Sequence, residues 1–213
     1  MSMEIIRQQI RHAIADESSS HLLQHALASR AGQVARIVDL PAEQPAEKLL
    51  EFVVRYIDDV PAMLQDLQNA ALEAGLNHYV QPVIRIATGF FTLPPKEVGA
   101  ESGLVHLMYK AYLAQRLIEE VNETYICRVG QPMVPMDMTL SNVIIHTLIG
   151  EPFANDLDKL VSLAVEPLFG EKTAYQNADF RTFMDRLQTS NLVHIGQRWR
   201  SMSGEMGLNS NLL

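Results

Sequence analysis

Residues 102–128 read SGLVHLMYKAYLAQRLIEEVNETYICR, the longest stretch of this sequence that predicts one unbroken helix. Seven of its side chains recur at alternating steps of four and three residues, a spacing that places them on one helical face. They are Leu104, Met108, Ala111, Gln115, Ile118, Asn122 and Tyr125. Leu107, Ala114 and Val121 widen this face to three positions in seven, which favours a helix inside a globular bundle over a two-stranded coiled coil. We therefore expect the rest of the chain to pack around this helix.

Two amide side chains interrupt the apolar face of the 102–128 helix. Gln115 and Asn122 would each cost about 1–3 kcal/mol if buried without a hydrogen-bond partner. We expect both to meet polar groups on a facing helix, where they would fix the register of packing. The alternative is a wet gap between helices that binds a ligand, with Arg116 as a further candidate.

The opposite face of the same helix is also mixed in character. It carries His106, Tyr109, Arg116, Glu120 and Glu123, but leucines at positions 113 and 117 interrupt these polar residues. A fully solvated face rarely carries leucines at its centre. We expect other elements to contact the helix from both sides.

A second long apolar pattern, at residues 45–74, has a proline inside it. Pro61 removes one helical hydrogen bond, yet the apolar phase continues across it. A single kinked helix accounts for both observations. Alternatively, Asp58 and Asp59 cap a new helix that carries Pro61 in its first turn.

Turn-forming residues set the other expected boundaries. The first helix should end before Asp16, and Ser20 would then cap the second. Pro82 is expected to open a helix, as proline often does. The apolar segment 139–149 predicts a helix in the middle of the bundle.

Length and composition predict one globular domain, and the helical spacing of its apolar residues predicts that this domain is all-α. The chain has 213 residues, 47% of them hydrophobic and 20% charged, which is ordinary for a globular protein. We expect a bundle of about six to eight helices over residues 1–170. Residues 171–213 should form a further helix and a less regular tail, packed on the body or on a partner.

Charge and cysteine content narrow the cellular context and the partners. The net charge is −8, and the body lacks the clustered Lys and Arg that phosphate binding needs, so no nucleic-acid partner is expected. No apolar run approaches the 18–20 residues of a membrane helix, and the N-terminus does not resemble a signal peptide. The single cysteine, Cys127, fits a reducing compartment. These features favour a cytoplasmic protein that does not associate with membranes.

Metal and cofactor signals are weak in this sequence. His21 and His25 are four residues apart, a spacing that allows two imidazoles to reach one metal ion. No third ligand completes a known pattern, and the Glu-x-x-His pairs of di-metal bundles do not occur. We expect neither a metal nor a cofactor.

His146 is the main catalytic candidate. It lies in the apolar segment VIIHTLI and is expected to be buried, with its ring bonded to a carbonyl or to Asn142. If it instead faces His106 or Glu120 across the bundle, then these residues and Tyr109 would form a candidate site for a metal-dependent or redox enzyme.

The segment Arg198, Trp199 and Arg200 contains the only tryptophan of the chain. Tryptophan and arginine often anchor interfaces, so this segment is a candidate contact with a second copy or another protein. Packing on its own chain is equally consistent. The leading interpretation is a self-associating binding or regulatory protein. The alternatives are the enzyme described above and a carrier of small apolar ligands, with a cavity near Gln115 and Asn122.

Overall fold

A computed structural model describes residues 3–99, 103–169, 175–189 and 199–211, and their regular structure is helical. The predicted all-α multi-helix fold is confirmed. Within these ranges nine helices have eleven or more residues. The segment 45–74 forms two of these helices rather than one. The helices are α1 (Met3–Ser20), α2 (Leu22–Val34), α3 (Pro45–Asp58), α4 (Val60–Glu73), α5 (Asn77–Thr92), α6 (Leu104–Val129), α7 (Thr139–Ile149), α8 (Phe153–Phe169), α9 (Ala178–Thr189) and the short α10 (Met202–Glu205).

Helix α6 is the centre of the bundle. It contacts α1 to α5, α7 and α8. Every residue of the predicted apolar face is buried, and so are Leu113 and Leu117 on the other side. The expectation that α6 is contacted from both sides is therefore confirmed.

Helix boundaries depart from the sequence expectations at three places. The helix is interrupted at Asp59, and Pro61 lies in the first turn of α4, so the segment forms two helices rather than one kinked helix. Asp59 occupies the N-cap position, but its side chain makes no capping hydrogen bond. Helix α5 begins at Asn77 rather than at Pro82, which lies inside it. Helix α1 continues to Ser20, past the expected end before Asp16.

The start of α2 is capped by a residue of the last turn of α1 rather than by a serine. His21 adopts a left-handed conformation between the two helices, with a φ of 53°. The buried carboxylate of Glu17 accepts hydrogen bonds from the amides of Leu23, at 3.1 Å, and Gln24, at 3.0 Å. Glu17 thus supplies from the last turn of α1 the acceptor expected from Ser20.

The described part of the C-terminal segment packs on the body. The Asp39 amide donates to the Asn209 carbonyl at 2.9 Å, and the Asn211 amide donates to the Ile37 carbonyl at 2.8 Å. Leu208 is completely buried and belongs to the same core cluster as Ile6. One hydrophobic core therefore includes residues near both ends of the chain. None of the described helices is long and apolar enough to cross a bilayer.

Candidate functional site

The two amides on the apolar face of α6 bind the backbone of neighbouring segments. Gln115 donates from Nε2 to the carbonyl of Tyr56 in α3 at 2.7 Å, as expected for a facing helix. Asn122 instead holds the connector between α6 and α7: it donates to the Val134 carbonyl and accepts from the Val134 amide, both at 2.9 Å. A connector offers both groups of one residue, whereas a helix interior has already paired them.

A set of linked side chains, here called the polar network, surrounds Arg116 between α3, α6, α7 and α8. The guanidinium donates from Nε to Asp158 Oδ1 at 3.2 Å and from Nη2 to Glu120 Oε1 at 3.3 Å. It also donates from Nη1 to Glu119 Oε2. One arginine thus meets three carboxylates. When such a cluster is partly buried, opposite charges and hydrogen bonds must compensate the loss of hydration of its charged groups.

The rest of the polar network consists of two tyrosines and an asparagine. Tyr56 donates from its hydroxyl to Asn142 Oδ1 at 2.6 Å, and Asn142 donates from Nδ2 to Glu119 Oε2 at 2.7 Å. Tyr112 donates from its hydroxyl to Asp158 Oδ1 at 2.8 Å. Both tyrosines and Asn142 are buried, so the network connects the interior of the bundle to its edge.

His146 lies at that edge and is only half buried, with 27% of its side chain exposed. Its Nε2 is 3.1 Å from Asn155 Oδ1 and 3.5 Å from Asp158 Oδ2, both in α8. The expectation of a buried His146 bonded to Asn142 or a carbonyl is therefore wrong. Its face of α7 also carries Val143, one turn earlier and 41% exposed, so that the apolar run VIIHTLI is not enclosed on all sides.

An open cleft of about 420 Å³, the polar cleft, lies over this network. Burial raises the pKa of the Tyr56 hydroxyl, and burial followed by the hydrogen bond to Asp158 raises the pKa of Tyr112. Burial also raises the pKa of Glu120. For Arg116, burial acts to lower the pKa, but the Glu119 charge and the hydrogen bonds to Glu119 and Asp158 outweigh it and raise the pKa. Near neutral pH the arginine is charged and both tyrosines keep their protons.

The four catalytic candidates separate into two groups. Glu120 and His146 meet opposite sides of the Arg116–Asp158 ion pair. His106 and Tyr109 belong to an aromatic cluster at the start of α8, where the Tyr109 and Phe153 ring centroids are 5.1 Å apart. Burial raises the pKa of Tyr109. The polar cleft is lined by His146 together with Glu119 and Glu123, so Glu120 reaches His146 through the Arg116–Asp158 ion pair rather than by facing it directly.

The remaining candidates have contacts within the protein. His25 Nδ1 is 2.7 Å from the His21 carbonyl, and His21 Nδ1 is 3.1 Å from Gln24 Oε1. No cluster of three or more potential ligands for a metal ion occurs among the residues that the structure describes. In the tail, Arg200 donates to Glu205 Oε1 at 2.8 Å, and Trp199 is half buried. Arg198 lies outside the described residues.

A second and larger cavity, the α1–α6 cavity, lies where α1, the end of α5 and the start of α6 meet. Its volume is about 590 Å³, within the range of small-molecule sites. Its apolar wall includes Phe91 and Leu107, both buried, and the partly exposed Ile5. His12 and Asp16 are exposed at its mouth.

Of the polar side chains in the wall of the α1–α6 cavity, Lys110 is buried and Gln9 is half buried. Lys110 is only 4% exposed, which is rare for a lysine. Gln9 donates from Nε2 to the Phe91 carbonyl at 3.4 Å, while its Oε1 is buried and has no partner in the structure. A buried acceptor of this kind requires an explanation, such as a water or ligand.

The α1–α6 cavity was not among the sites predicted from the sequence. A signal was present, because Lys110 follows Leu107 by three residues and precedes Ala114 by four, a spacing that places the lysine beside the core face. Gln9 gave no comparable signal, since it adjoins Ile10 in a helix with polar residues on most sides.

Comparisons of this chain with protein-family models, with curated proteins and with solved structures find no match. The function is therefore inferred from the two sites just described. In the polar network, carboxylates, amides and hydroxyls satisfy one another. In the α1–α6 cavity, a buried oxygen has no partner.

Proposed function

We propose that this chain is a cytoplasmic binding protein for a small, largely apolar molecule held in the α1–α6 cavity. The observation that carries the proposal is the unpaired, buried Oε1 of Gln9 in the wall of a cavity of about 590 Å³. Apolar walls with a few convergent polar groups are typical of small-molecule sites. This interpretation keeps the alternative of a small-ligand carrier but moves the cavity away from Gln115 and Asn122, whose amides bind backbone groups.

The energetic reason concerns the unpaired amide oxygen. Leaving a buried acceptor without a donor costs about 1–3 kcal/mol. The half-buried Gln9 side chain would have to turn for a ligand to donate to Oε1 and recover this cost, and the apolar surface of the ligand would cover the exposed part of Ile5 at about 25 cal/mol per Å² buried. Both contributions favour the occupied cavity.

The test uses the neutral fluorophore N-phenyl-1-naphthylamine, which has an apolar ring system and one N–H donor. We expect saturable binding with a stoichiometry of one per chain, measured by fluorescence titration. Ile5→Trp should abolish it, because Ile5 lines the cavity and the larger ring would fill its mouth. Ile126→Trp is the matched control, since both isoleucines are 41% exposed on helices. Absence of saturable binding, or equal binding by Ile5→Trp and the wild type, would reject the proposal.

We also propose that the protein self-associates, as the sequence favours. The half-buried Trp199 and several exposed leucines support this, notably Leu93, at 84% exposed, and Leu163, at 65%. Light scattering should give a mass above that of one chain, and Trp199→Ala should lower it. A single-chain mass at every concentration would contradict self-association.

An enzymatic function at the polar cleft is the second candidate. It is supported by the arrangement that places His146 beside Asp158, with Arg116 and Glu120 on the other side of that carboxylate. For the metal-dependent form of this proposal, stoichiometric iron, zinc or copper in protein purified without an affinity tag would be expected. Metal-free protein after growth in metal-supplemented medium would count against it.

A further inference from the structure

An open groove, here called the α3 groove, lies between α3 and the residues that follow α10. Its volume is about 490 Å³, and its apolar lining consists of Leu50, Val54 and Met206. Met206 is buried, whereas Leu50 and Val54 are half buried and keep part of their surface in contact with solvent. The groove thus presents an apolar surface that a partner would remove from water.

Acidic side chains accompany this apolar lining. Glu47, Glu51 and Asp58 line the α3 groove and are exposed. Glu51 pairs with Lys48 at 3.0 Å, but Glu47 and Asp58 form no ion pair within the part of the chain that the structure describes. These two carboxylates are therefore available to positive charges on a partner.

Arg55 also lines the α3 groove, but its charge is compensated within the protein. Its guanidinium donates from Nη2 to Glu205 of α10 at 2.5 Å, and its Nε lies 3.8 Å from Asp59 Oδ2. The bond to Glu205 also joins α10 to α3. The groove is therefore formed before a partner binds, which lowers the cost of association.

We propose that the α3 groove binds a basic amphipathic helix of another protein. The apolar residues of that helix would contact Leu50, Val54 and Met206, and its Lys or Arg side chains would pair with Glu47 and Asp58. This proposal is independent of the ligand of the α1–α6 cavity.

The spacing along α3 favours a helical partner. Glu47, Leu50, Glu51, Val54 and Asp58 follow one another at steps of three, one, three and four residues, which places them on one face of the helix. At about 1.5 Å per residue this face is about 16 Å long, or about three helical turns. Amphipathic helices bind grooves of this kind through apolar residues three, four and seven positions apart.

Charge favours a basic partner over a second copy of this chain. Glu43 is exposed and lines the adjoining hollow together with Glu47 and Glu51, so that the negative surface continues past the start of α3. The chain has a net charge of −8, and two copies therefore repel each other. A basic segment is attracted to the same surface, which raises its rate of association.

The test uses the full chain and a fluorescein-labelled peptide of about 14 residues, with leucine on one helical face and lysine on the other. We expect saturable binding of one peptide per chain, measured by fluorescence anisotropy. Added salt should weaken the binding, because it screens the exposed carboxylates. The same peptide with glutamate in place of lysine should not bind.

Charge reversal at the groove should weaken this binding. Glu47→Lys combined with Asp58→Lys replaces two attractions by two repulsions, and we expect the affinity to fall about tenfold or more. The matched control combines Asp66→Lys with Glu73→Lys, which changes the net charge equally at exposed positions of α4. The control should change the affinity by less than about threefold.

The apolar contact has a test of its own. Leu50→Gln should weaken binding of the lysine peptide about fivefold or more, because it removes apolar surface from the groove. Leu72→Gln, at an exposed leucine of α4, is its control and should bind as the wild type does.

Three results would overturn the proposal. The first is the absence of saturable binding by the wild type. The second is an equal loss of affinity in the two charge-reversed proteins or, if the α3 variant does not fold, equal affinities of Leu50→Gln and Leu72→Gln. The third is a lower mass of the α3 variant than of the wild type in light scattering, which would assign the groove to a second copy.

Discussion

Asn142 shows how a single side chain can connect separate helices. From α7 it accepts from the Tyr56 hydroxyl of α3 and donates to the Glu119 carboxylate of α6. The three groups lie inside the bundle, and each has limited access to water. Their mutual bonds therefore compensate the loss of hydration on folding.

We expect Asn142→Ala to lower the free energy of unfolding by about 2–5 kcal/mol, because it leaves the buried Tyr56 hydroxyl without an acceptor, at about 1–3 kcal/mol, and removes one of the two donors to Glu119 Oε2, at about 1–2 kcal/mol. Urea denaturation followed by circular dichroism measures this change. Asn69→Ala is the control, since Asn69 accepts a side-chain hydrogen bond from Gln65 on an exposed helical face. It should change stability by less than about 0.5 kcal/mol. Similar losses at the two sites would contradict the structural role of Asn142.

Single residues also show how far the sequence predicts a site. The burial of Gln115 and Asn122 followed from their spacing in one helix, and both are buried. Their partners did not follow, because periodicity describes one element and not the backbone that faces it. The same limit applies to Lys110 and Gln9, which become significant only when α1 and α6 form one cavity.

At the scale of elements, apolar periodicity predicted long helices better than their ends. The segment 139–149 forms α7 with the expected bounds, and α6 lies within two residues of expectation at each end. The prediction that a helix begins at Pro82 was wrong, because proline occurs both at helix starts and inside helices, where the helix loses one backbone hydrogen bond. At α2 the cap is Glu17 from the preceding helix, an interaction that depends on the left-handed turn at His21.

The contact between the end of α4 and the start of α9 depends on Gly75. Its φ is +68°, and a Cβ at this position would lie 2.5 Å from the Cβ of Asp179. We expect Gly75→Ala to lower the free energy of unfolding by about 2–4 kcal/mol, from backbone strain and from displacement of α9. Urea denaturation measures the loss.

Two other glycines separate these contributions. Gly207 also has a positive φ, of +76°, but open space around the Cβ position, so Gly207→Ala should cost only the strain, about 1–2 kcal/mol. Gly32 lies inside α2 with open space, and Gly32→Ala should stabilise by about 0.5–1 kcal/mol. Equal losses at Gly75 and Gly207 would show that the contact with α9 does not contribute.

At the scale of the whole molecule, the C-terminal residues close the fold against its N-terminal half. Glu205 accepts from Arg55 in α3 at 2.5 Å and from Arg200 at 2.8 Å, while an isolated bridge pairs Val38 with Ser210. The sequence predicted a tail packed on the body or on a partner. The sequence alone does not distinguish the two, because the tail has no clear periodicity and several of its contacts are with residues 150 or more positions away in the chain.

This closure should depend on pH. Hydrogen bonds from Arg200 and then Arg55 lower the pKa of Glu205 below its ordinary value of 4.5. A carboxylate whose pKa is lowered in the folded state stabilises that state fully above its unfolded pKa, and the contribution is lost as the pH falls through the folded value. We therefore expect the emission of Trp199, the only tryptophan, to shift to longer wavelength as the pH falls below about 4.5.

Glu205→Gln should show a smaller shift, because its side chain carries no charge to lose, and it should already differ from the wild type at pH 6. Glu43→Gln, at an exposed glutamate, is the control and should follow the wild type. Asp59 also titrates near Arg55, so the difference between wild type and Glu205→Gln isolates the Glu205 contribution. Identical pH profiles for these two proteins would mean that the ion pairs of Glu205 do not hold the C-terminal segment in place.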